Sequence, residues 1–352
     1  MTRHLALVGP TAAGKSAVAL AVAHALGDVE IVSLDSMQVY RGMDIGTAKP
    51  SPAERAAVRH HLVDVVDASE EWSVRETQRA ARAAVAEIEA RGGRALLVGG
   101  TGLYVRAVVD GLSVPPRDLD VRAALEQETA TAEGLADAYD RLVAADPRAA
   151  SRIEPANARR IVRALEVLET TGRPFSSFGA GLGEYGSPAF DVAMVGVWLP
   201  RAELGRRIAC RFAAMRAAGL EAEVRALTDH PDASRRDESF DDSPERRANA
   251  SRRNESFDDS LPRSSGRLSR SAAQAIGYKE ILAHLDGEIP SIDDAFDLAV
   301  RRTRQFARRQ RVWFRRDPRI RWAGTARNPQ DLAAVVLALW GSGVATVAAE
   351  GT

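Results

Sequence analysis

The chain is short of several things, and each shortage narrows what it can be. There is one cysteine, Cys210, so no internal disulfide and no thiolate-based zinc site can form. The residues before it, Arg206, Arg207 and Ile208, have helical character, which predicts a buried small hydrophobe there rather than a nucleophile. Aromatic residues make up only 5%, too few to stack bases across a broad sheet surface. Net charge is also missing: 48 Lys and Arg balance 48 Asp and Glu. That excludes a uniformly basic nucleic-acid coat but leaves room for a local basic patch. Lysine itself is nearly absent. Lys15, Lys49 and Lys279 are the only three, and the other 45 basic residues are Arg. Arg is broad and planar whereas Lys is a compact point charge, so the positions that kept Lys are candidates for tight phosphate contacts. The one long uncharged run, 332–349, is broken by Gly341-Ser342-Gly343, and the N-terminal run 5–8 leads straight into Gly9-Pro10. Neither a membrane span nor a signal peptide is expected, and a cytoplasmic location is.

What is present is patterned. A chain of 352 residues, 45% hydrophobic, is long enough for a large core and about two domains. Over the first hundred residues, short apolar runs at 5–8, 30–34, 62–66 and 94–98 alternate with helical patterns at 16–26 and 73–91. This alternation predicts an α/β fold, a parallel sheet flanked by helices. From 115 to 188 strands vanish and apolar residues recur at helical spacing (Val121, Leu125; Ile161, Leu165, Leu168), which predicts a helical insertion domain. A strand at 190–199, helices at 202–227, 271–285 and 292–316, and a short strand at 319–322 are expected to complete the core. The expected organisation is therefore a first part of the core at 1–114, the insertion at 115–188, a second part of the core at 189–325, and a C-terminal helix and tail at 326–352. Within 231–270 the string SRRDESFDDS at 234–243 returns as SRRNESFDDS at 251–260. Ten acids against six Arg between 229 and 260 make this stretch net negative with little to bury, so a disordered loop is expected.

Gly9-Pro10-Thr11-Ala12-Ala13-Gly14-Lys15-Ser16 fits G-x-x-x-x-G-K-[ST] between a predicted strand and a predicted helix, the context a phosphate-binding loop requires. The glycines let backbone N–H groups close around phosphate oxygens, the helix N-terminus adds positive potential, Lys15 adds a charge and the Ser16 hydroxyl can reach Mg²⁺. The expected fold is thus P-loop NTPase-like. The loop identifies a di- or triphosphate but does not separate a nucleotide such as ATP from a prenyl diphosphate. An NTPase usually holds its metal with an acid at the end of another strand, yet the strand at 94–98 runs into Gly99-Gly100-Thr101. The acid stands instead at Asp35, after the second strand. There it can position Mg²⁺, act as a general base, or simply cap the following segment.

The loop together with Asp35-Ser36-Met37-Gln38-Val39-Tyr40-Arg41-Gly42-Met43-Asp44-Ile45-Gly46-Thr47-Ala48-Lys49-Pro50 closely resembles the tRNA dimethylallyltransferases (isopentenyl-diphosphate:tRNA transferases). Further stretches match in order: Val98 to Tyr104, Arg159 to Glu166, Arg207 to Phe212, Gln274 to Glu280 and Thr303 to Gln310. The resemblance spans about 4–325. It implies transfer of a dimethylallyl group from dimethylallyl diphosphate to N6 of the adenine 3′ of the tRNA anticodon, with Mg²⁺ and without ATP consumption. It implies Asp35 as the base, Thr101 as a second polar contact to the target adenine, and Arg211 on the diphosphate. On the tRNA side it implies Asp35, Ser36, Met37, Gln38, Thr101 and Arg122, the Arg159, Arg160 and Arg163 cluster, Gly277 and Lys279, and Arg304, Gln305, Arg308 and Arg309. No stable protein partner is implied.

The tRNA side has independent support. Between 301 and 321 stand ten Arg and one Asp, a local charge of +9. Arg301, Arg304, Arg308, Arg311 and Arg315 fall on one helical stripe, with Phe296, Val300, Phe306 and Trp313 expected on the packing side. An Arg face with few acids suits a phosphate backbone. Alternatives at this point are a P-loop small-molecule kinase, an enzyme that prenylates free adenine nucleotides, and a non-catalytic RNA-binding protein. The first leaves the segment after Asp35 unexplained, the second the basic helix, and the third the intact Lys15, Ser16 and Asp35.

Overall fold

The computed structural model describes residues 3–179, 183–229, 268–325 and 328–341. The duplicated stretch 234–260 and the tail after 341 lie outside the described residues. Six strands form one parallel sheet: β1 (His4–Val8), β2 (Val29–Ser33), β3 (His60–His61), β4 (Arg94–Gly99), β5 (Val192–Gly196) and β6 (Arg321–Trp322), in the order β3-β2-β4-β1-β5-β6. β1 and β5 are buried along their whole length, as strands covered by helices on both faces must be. Register aligns the carboxyl ends of the central strands: Val8 pairs with Gly99 and Gly196, and Ser33 with Val98. Gly9, Asp35 and Gly100-Thr101 therefore leave the sheet at one edge, where open α/β sheets bind ligands.

Local chemistry explains where the expected elements moved. The third strand is His60–His61 rather than 62–66, because Leu62 and Asp64 take left-handed φ of 62° and 57° and break the extended chain. Val66 keeps only an isolated bridge to Tyr40. The single helix expected over 202–227 is two, Arg201–Ala217 and Leu220–Asp229, split at Gly219 with φ of 95°. The stretch 271–285 likewise divides at Gly277, φ 102°, into Arg270–Ala273 and Tyr278–Leu285. Cys210 is exposed, not buried. The C-terminal helix Pro329–Gly341 buries Leu332, Val336 and Trp340 in the main core. Among the described residues no helix is long and apolar enough to cross a membrane.

Between β4 and β5, after the helix Gly102–Asp110 that follows β4, the described residues form four more α-helices, Leu119–Glu128, Ala132–Ala145, Pro147–Ala150 and Ala158–Thr171. They close on a hydrophobic cluster of their own, which includes Leu125, Leu142, Ile161 and Leu165. Asp118, Thr131 and Asn157 each cap a helix by accepting from free backbone N–H groups, so the three longer helices start where the sequence supplies an acceptor.

Candidate active site

One cleft of about 700 Å³ opens at the carboxyl edge of the sheet, within the size range of small-ligand sites. Its walls bring the phosphate loop, Asp35 to Gln38, Gly99 to Thr101, Arg211 and the basic helix together.

At the phosphate end, Gly9 and Gly14 take φ of 148° and 94°. A Cβ on Gly9 would stand 2.6 Å from the Val197 carbonyl oxygen, so only glycine fits where β1 turns out beside β5. Lys15 donates to the Pro10 carbonyl oxygen at 2.9 Å, and Arg211 reaches the Thr11 hydroxyl at 3.2 Å. Burial depresses the Lys15 pKa; Asp35 partly restores it and Arg211 depresses it further, to about 8. Burial also lowers the Arg211 pKa, against the pull of Asp35. Two cations held close in a shielded site favour an added anion. The Ser16 hydroxyl is exposed at the start of the helix Lys15–Leu26.

Across the cleft, Asp35 does two jobs. Its Oδ1 accepts from the backbone N–H groups of Met37 at 2.8 Å and Gln38 at 3.4 Å, which is the capping role. Its Oδ2 accepts no hydrogen bond from any described residue and remains open to a ligand. Gln38 is fixed at both ends of its amide: Oε1 accepts from the Ser33 hydroxyl at 2.9 Å, and Nε2 donates to the carbonyls of Thr47 and Ala48 at 3.3 and 3.2 Å. Thr101 occupies the N-cap position of the helix Gly102–Asp110 without a cap hydrogen bond and lines the cleft.

Lys49 also lines the cleft, but its side chain is committed to partners within the chain. Its ammonium donates to the Tyr40 carbonyl at 2.7 Å, Asp44 Oδ1 at 2.5 Å and Asp64 Oδ1 at 2.6 Å, with the side chain 2% exposed. All three protons are engaged, and the residue works as a clasp across its own loop. Lys279 is exposed and donates to Gln274 Oε1 at 2.9 Å. Of the three lysines, only Lys15 sits in the phosphate loop.

Residues 38–317 match the family model described as IPP transferase. The chain belongs to the IPP transferase family. Curated relatives named tRNA dimethylallyltransferase are 48% identical over 322 residues in Salinispora arenicola, covering 92% of this chain and 82% of the relative. In Kineococcus radiotolerans the identity is 46% over 344 residues, with 95% of each covered. Among solved structures, the tRNA isopentenylpyrophosphate transferase of Bacillus halodurans superimposes with a TM-score of 0.62 at 33% identity, covering 97% of both chains. A eukaryotic dimethylallyltransferase captured acting on tRNA shares the fold, with a TM-score of 0.69 at 24% identity over 96% of this chain and 78% of its own.

The remaining residues singled out from the sequence of this transferase are not all in the cleft. Arg309 lines it. Arg304, Gln305 and Arg308 are exposed on the basic helix Ile292–Arg315, which a Ser291 cap begins. The buried side of that helix includes Phe296, Ala299, Thr303, Ala307, Gln310 and Phe314; Val300 and Trp313 pack against the main core as expected, partly buried, while Phe306 is half-buried and lines the cleft instead. The Arg face is also less free than expected. Arg302 pairs with Glu280 at 2.5 Å, and Arg311 lies over the Trp198 ring at 3.9 Å while donating to the Leu199 carbonyl. In the insertion, Arg159 and Arg160 are exposed, but Arg122 and Arg163 turn inward. Both pair with the buried Glu166, at 3.6 and 2.9 Å, and Arg163 also donates to the carbonyls of Pro115 and Pro116. They tie the insertion to its entry segment. Gly277 is buried at the start of Tyr278–Leu285.

Two residues of the site escaped sequence reasoning. Gln310 accepts from the Thr11 N–H at 2.8 Å and donates to the Gly100 carbonyl at 2.8 Å, binding the phosphate loop and the end of β4 to the basic helix. It lies within the arginine run, where spacing and charge carry no signal for a single neutral amide. The other is Glu223, taken up below.

Proposed function

We propose that this transferase moves a dimethylallyl group from dimethylallyl diphosphate to N6 of the adenine 3′ of the anticodon in tRNA. The observation that carries the reading is the pairing, in one cleft, of a cationic phosphate loop with a carboxylate that keeps one oxygen open. The loop N–H groups, Lys15 and Arg211 are suited to the donor's diphosphate. Phe212 and Met215, both buried and lining the same cleft, offer apolar surface for a five-carbon tail. Arg309 at the cleft and the exposed Arg304 and Arg308 suit the tRNA backbone.

The donor set also fits Mg²⁺, which prefers one or two protein oxygens and takes its other ligands from phosphate and water. The Ser16 hydroxyl would hold it, leaving Asp35 Oδ2 free as the base. When bound, it neutralises charge on the diphosphate.

In the reaction the N6 lone pair forms a bond to C1 of the dimethylallyl group. The C1–O bond breaks, and its electron pair leaves with pyrophosphate. Lys15 and Arg211 stabilise the charge that grows on that oxygen. The adenine amine is a weak nucleophile because its lone pair is conjugated with the ring. Asp35 Oδ2 takes its proton, and Thr101 contributes a polar contact to the base edge. Purified protein given tRNA, dimethylallyl diphosphate and Mg²⁺ without ATP is expected to yield prenylated adenosine on nucleoside mass analysis. Phosphate transfer from ATP to a small molecule, with no prenylated adenosine, would refute the reading.

A further inference from the structure

The segment after Asp35 is held from outside the cleft by a side chain that touches neither the phosphate loop nor Asp35. Glu223, on the helix Leu220–Asp229, accepts three successive backbone N–H groups: Asp44 at 3.0 Å and Ile45 at 2.8 Å on Oε2, and Gly46 at 3.2 Å on Oε1. The Tyr278 hydroxyl donates to the same Oε1 at 2.5 Å. Burial, reinforced by the Glu223 charge, raises the Tyr278 pKa, so the phenol stays a donor. The close fit extends to carbon. A Cβ on Gly46 would overlap the Tyr278 ring and stand 2.8 Å from Leu220 Cδ1. A carboxylate that collects three consecutive N–H groups fixes a turn as an anion fixes a nest, and charge-assisted hydrogen bonds of this kind are the strong ones.

The held turn leads directly to the acceptor side of the cleft. Thr47 and Ala48 follow it, and their carbonyls receive both protons of the Gln38 amide. The Gln38 backbone N–H in turn donates to Asp35 Oδ1. We propose that Glu223, with Tyr278, is the positioning pair that sets the Asp35–Gln38 segment for the acceptor base. The pair acts through the Asp44–Gly46 turn and leaves the diphosphate end alone. The proposal rests on the tRNA prenyl-transfer reading for its kinetic consequence, but not for its structural one.

The test uses the full chain and the variants Glu223→Gln and Tyr278→Phe. The first replaces a carboxylate by an amide whose NH₂ opposes backbone donors; the second removes one hydrogen bond and keeps the ring. Glu223→Gln is expected to lower kcat/KM for tRNA by about tenfold or more, the scale of one charged hydrogen bond. Its affinity for inorganic pyrophosphate, measured by calorimetry, should stay within about twofold of the wild type, where a tenfold change would mean a whole hydrogen bond's worth of energy. Tyr278→Phe should show the same split with a smaller loss. Amide exchange of residues 44–46 should quicken in both. If pyrophosphate affinity falls in step with turnover, or if the 44–46 amides stay protected in Glu223→Gln, the proposal is overturned. A wild type that fails to prenylate tRNA while Glu223→Gln still frees the 44–46 amides and spares pyrophosphate would sink the functional reading and leave the positioning role standing.

Discussion

The two ends of the cleft are built in opposite ways. At the phosphate end the polar groups are poised but weakly partnered. Lys15 rests on a carbonyl of its own loop, Ser16 is exposed, and Arg211 hydrogen-bonds, among the described residues, to a threonine hydroxyl alone. Between Asp35 and Lys49 the side chains of Gln38, Thr47 and Lys49 are tied within the chain, Lys49 to three partners, while Asp35 Oδ2 stays open and the buried Tyr40 hydroxyl has no hydrogen-bond partner among the described residues. Under the proposed function, the difference follows from what each end would face. A diphosphate brings its own charge and can draw the cations onto it. An adenine amine brings almost no charge, so the groups that meet it have to be held in place beforehand.

The comparison breaks most sharply at Asp35. Asp35→Asn keeps the acceptor of the Met37 N–H but removes the proton acceptor at Oδ2. Turnover is expected to fall by about 10²–10⁴ with pyrophosphate affinity retained, as read by single-turnover kinetics and calorimetry. If both fall together, the two ends are not separate.

Lysine 15 sharpens the other side. Its pKa of about 8 means that the free enzyme loses this charge as pH rises through 8, while an anion binds best to the protonated form. Pyrophosphate affinity is therefore expected to be flat below pH 8 and to fall by up to about tenfold per pH unit above it. Lys15→Ala should bind weakly at all pH values without that slope. A wild-type affinity that is constant up to pH 9 would refute the assignment.

Lys49 tests the preformed end by stability rather than by binding. Burial works against the Asp64 carboxylate, but its hydrogen bond and charge contact with Lys49, aided by Arg55, overcome this and hold its pKa below the ordinary value. That contribution is present at neutral pH and is lost as pH falls through the depressed pKa. Lys49→Met leaves Asp64 and Asp44 without their shared partner. Because Asp64 is partly exposed, the expected cost at pH 7 is about 3 kcal/mol, the low end for breaking a buried pair. It should shrink in acid, as a series of urea melts would show. An unchanged melt at pH 7 would return Lys49 to the candidate phosphate ligands.

The smallest effect lies outside both ends. Replacing Arg304 and Arg308 with Ala should weaken tRNA binding and reduce its salt slope by about one per lost phosphate contact. An unchanged slope would remove the basic helix from the tRNA face.

The architecture was largely legible in the sequence because it rests on local signals. Apolar runs and the glycine loop placed β1, β2, β4 and the helices Lys15–Leu26, Val74–Ala90 and Ile292–Arg315 within a residue or two, while the strand expected over 190–199 is the shorter Val192–Gly196. The misplacements share a cause. Leu62, Asp64, Gly219 and Gly277 take left-handed backbone that interrupts an otherwise continuous apolar pattern, and periodicity does not register a change of φ. The site was legible where its residues form a contiguous motif, as in the phosphate loop and after Asp35. It was not legible where one side chain reaches across the fold, as Gln310 reaches Thr11 and Glu223 reaches Ile45.

The amino-acid sequence by itself determined the phosphate loop, the strand–helix alternation, the helical insertion and the concentration of Arg on one helix, since each is a matter of spacing along the chain. Tertiary structure alone decided which charges are free. It turned Arg122 and Arg163 inward onto Glu166, stacked Arg311 on Trp198, closed Lys49 into a clasp and left Lys15 facing the cleft. A side chain's charge belongs to its residue type. Whether that charge meets a ligand or another part of the protein depends on what the fold brings within hydrogen-bonding distance.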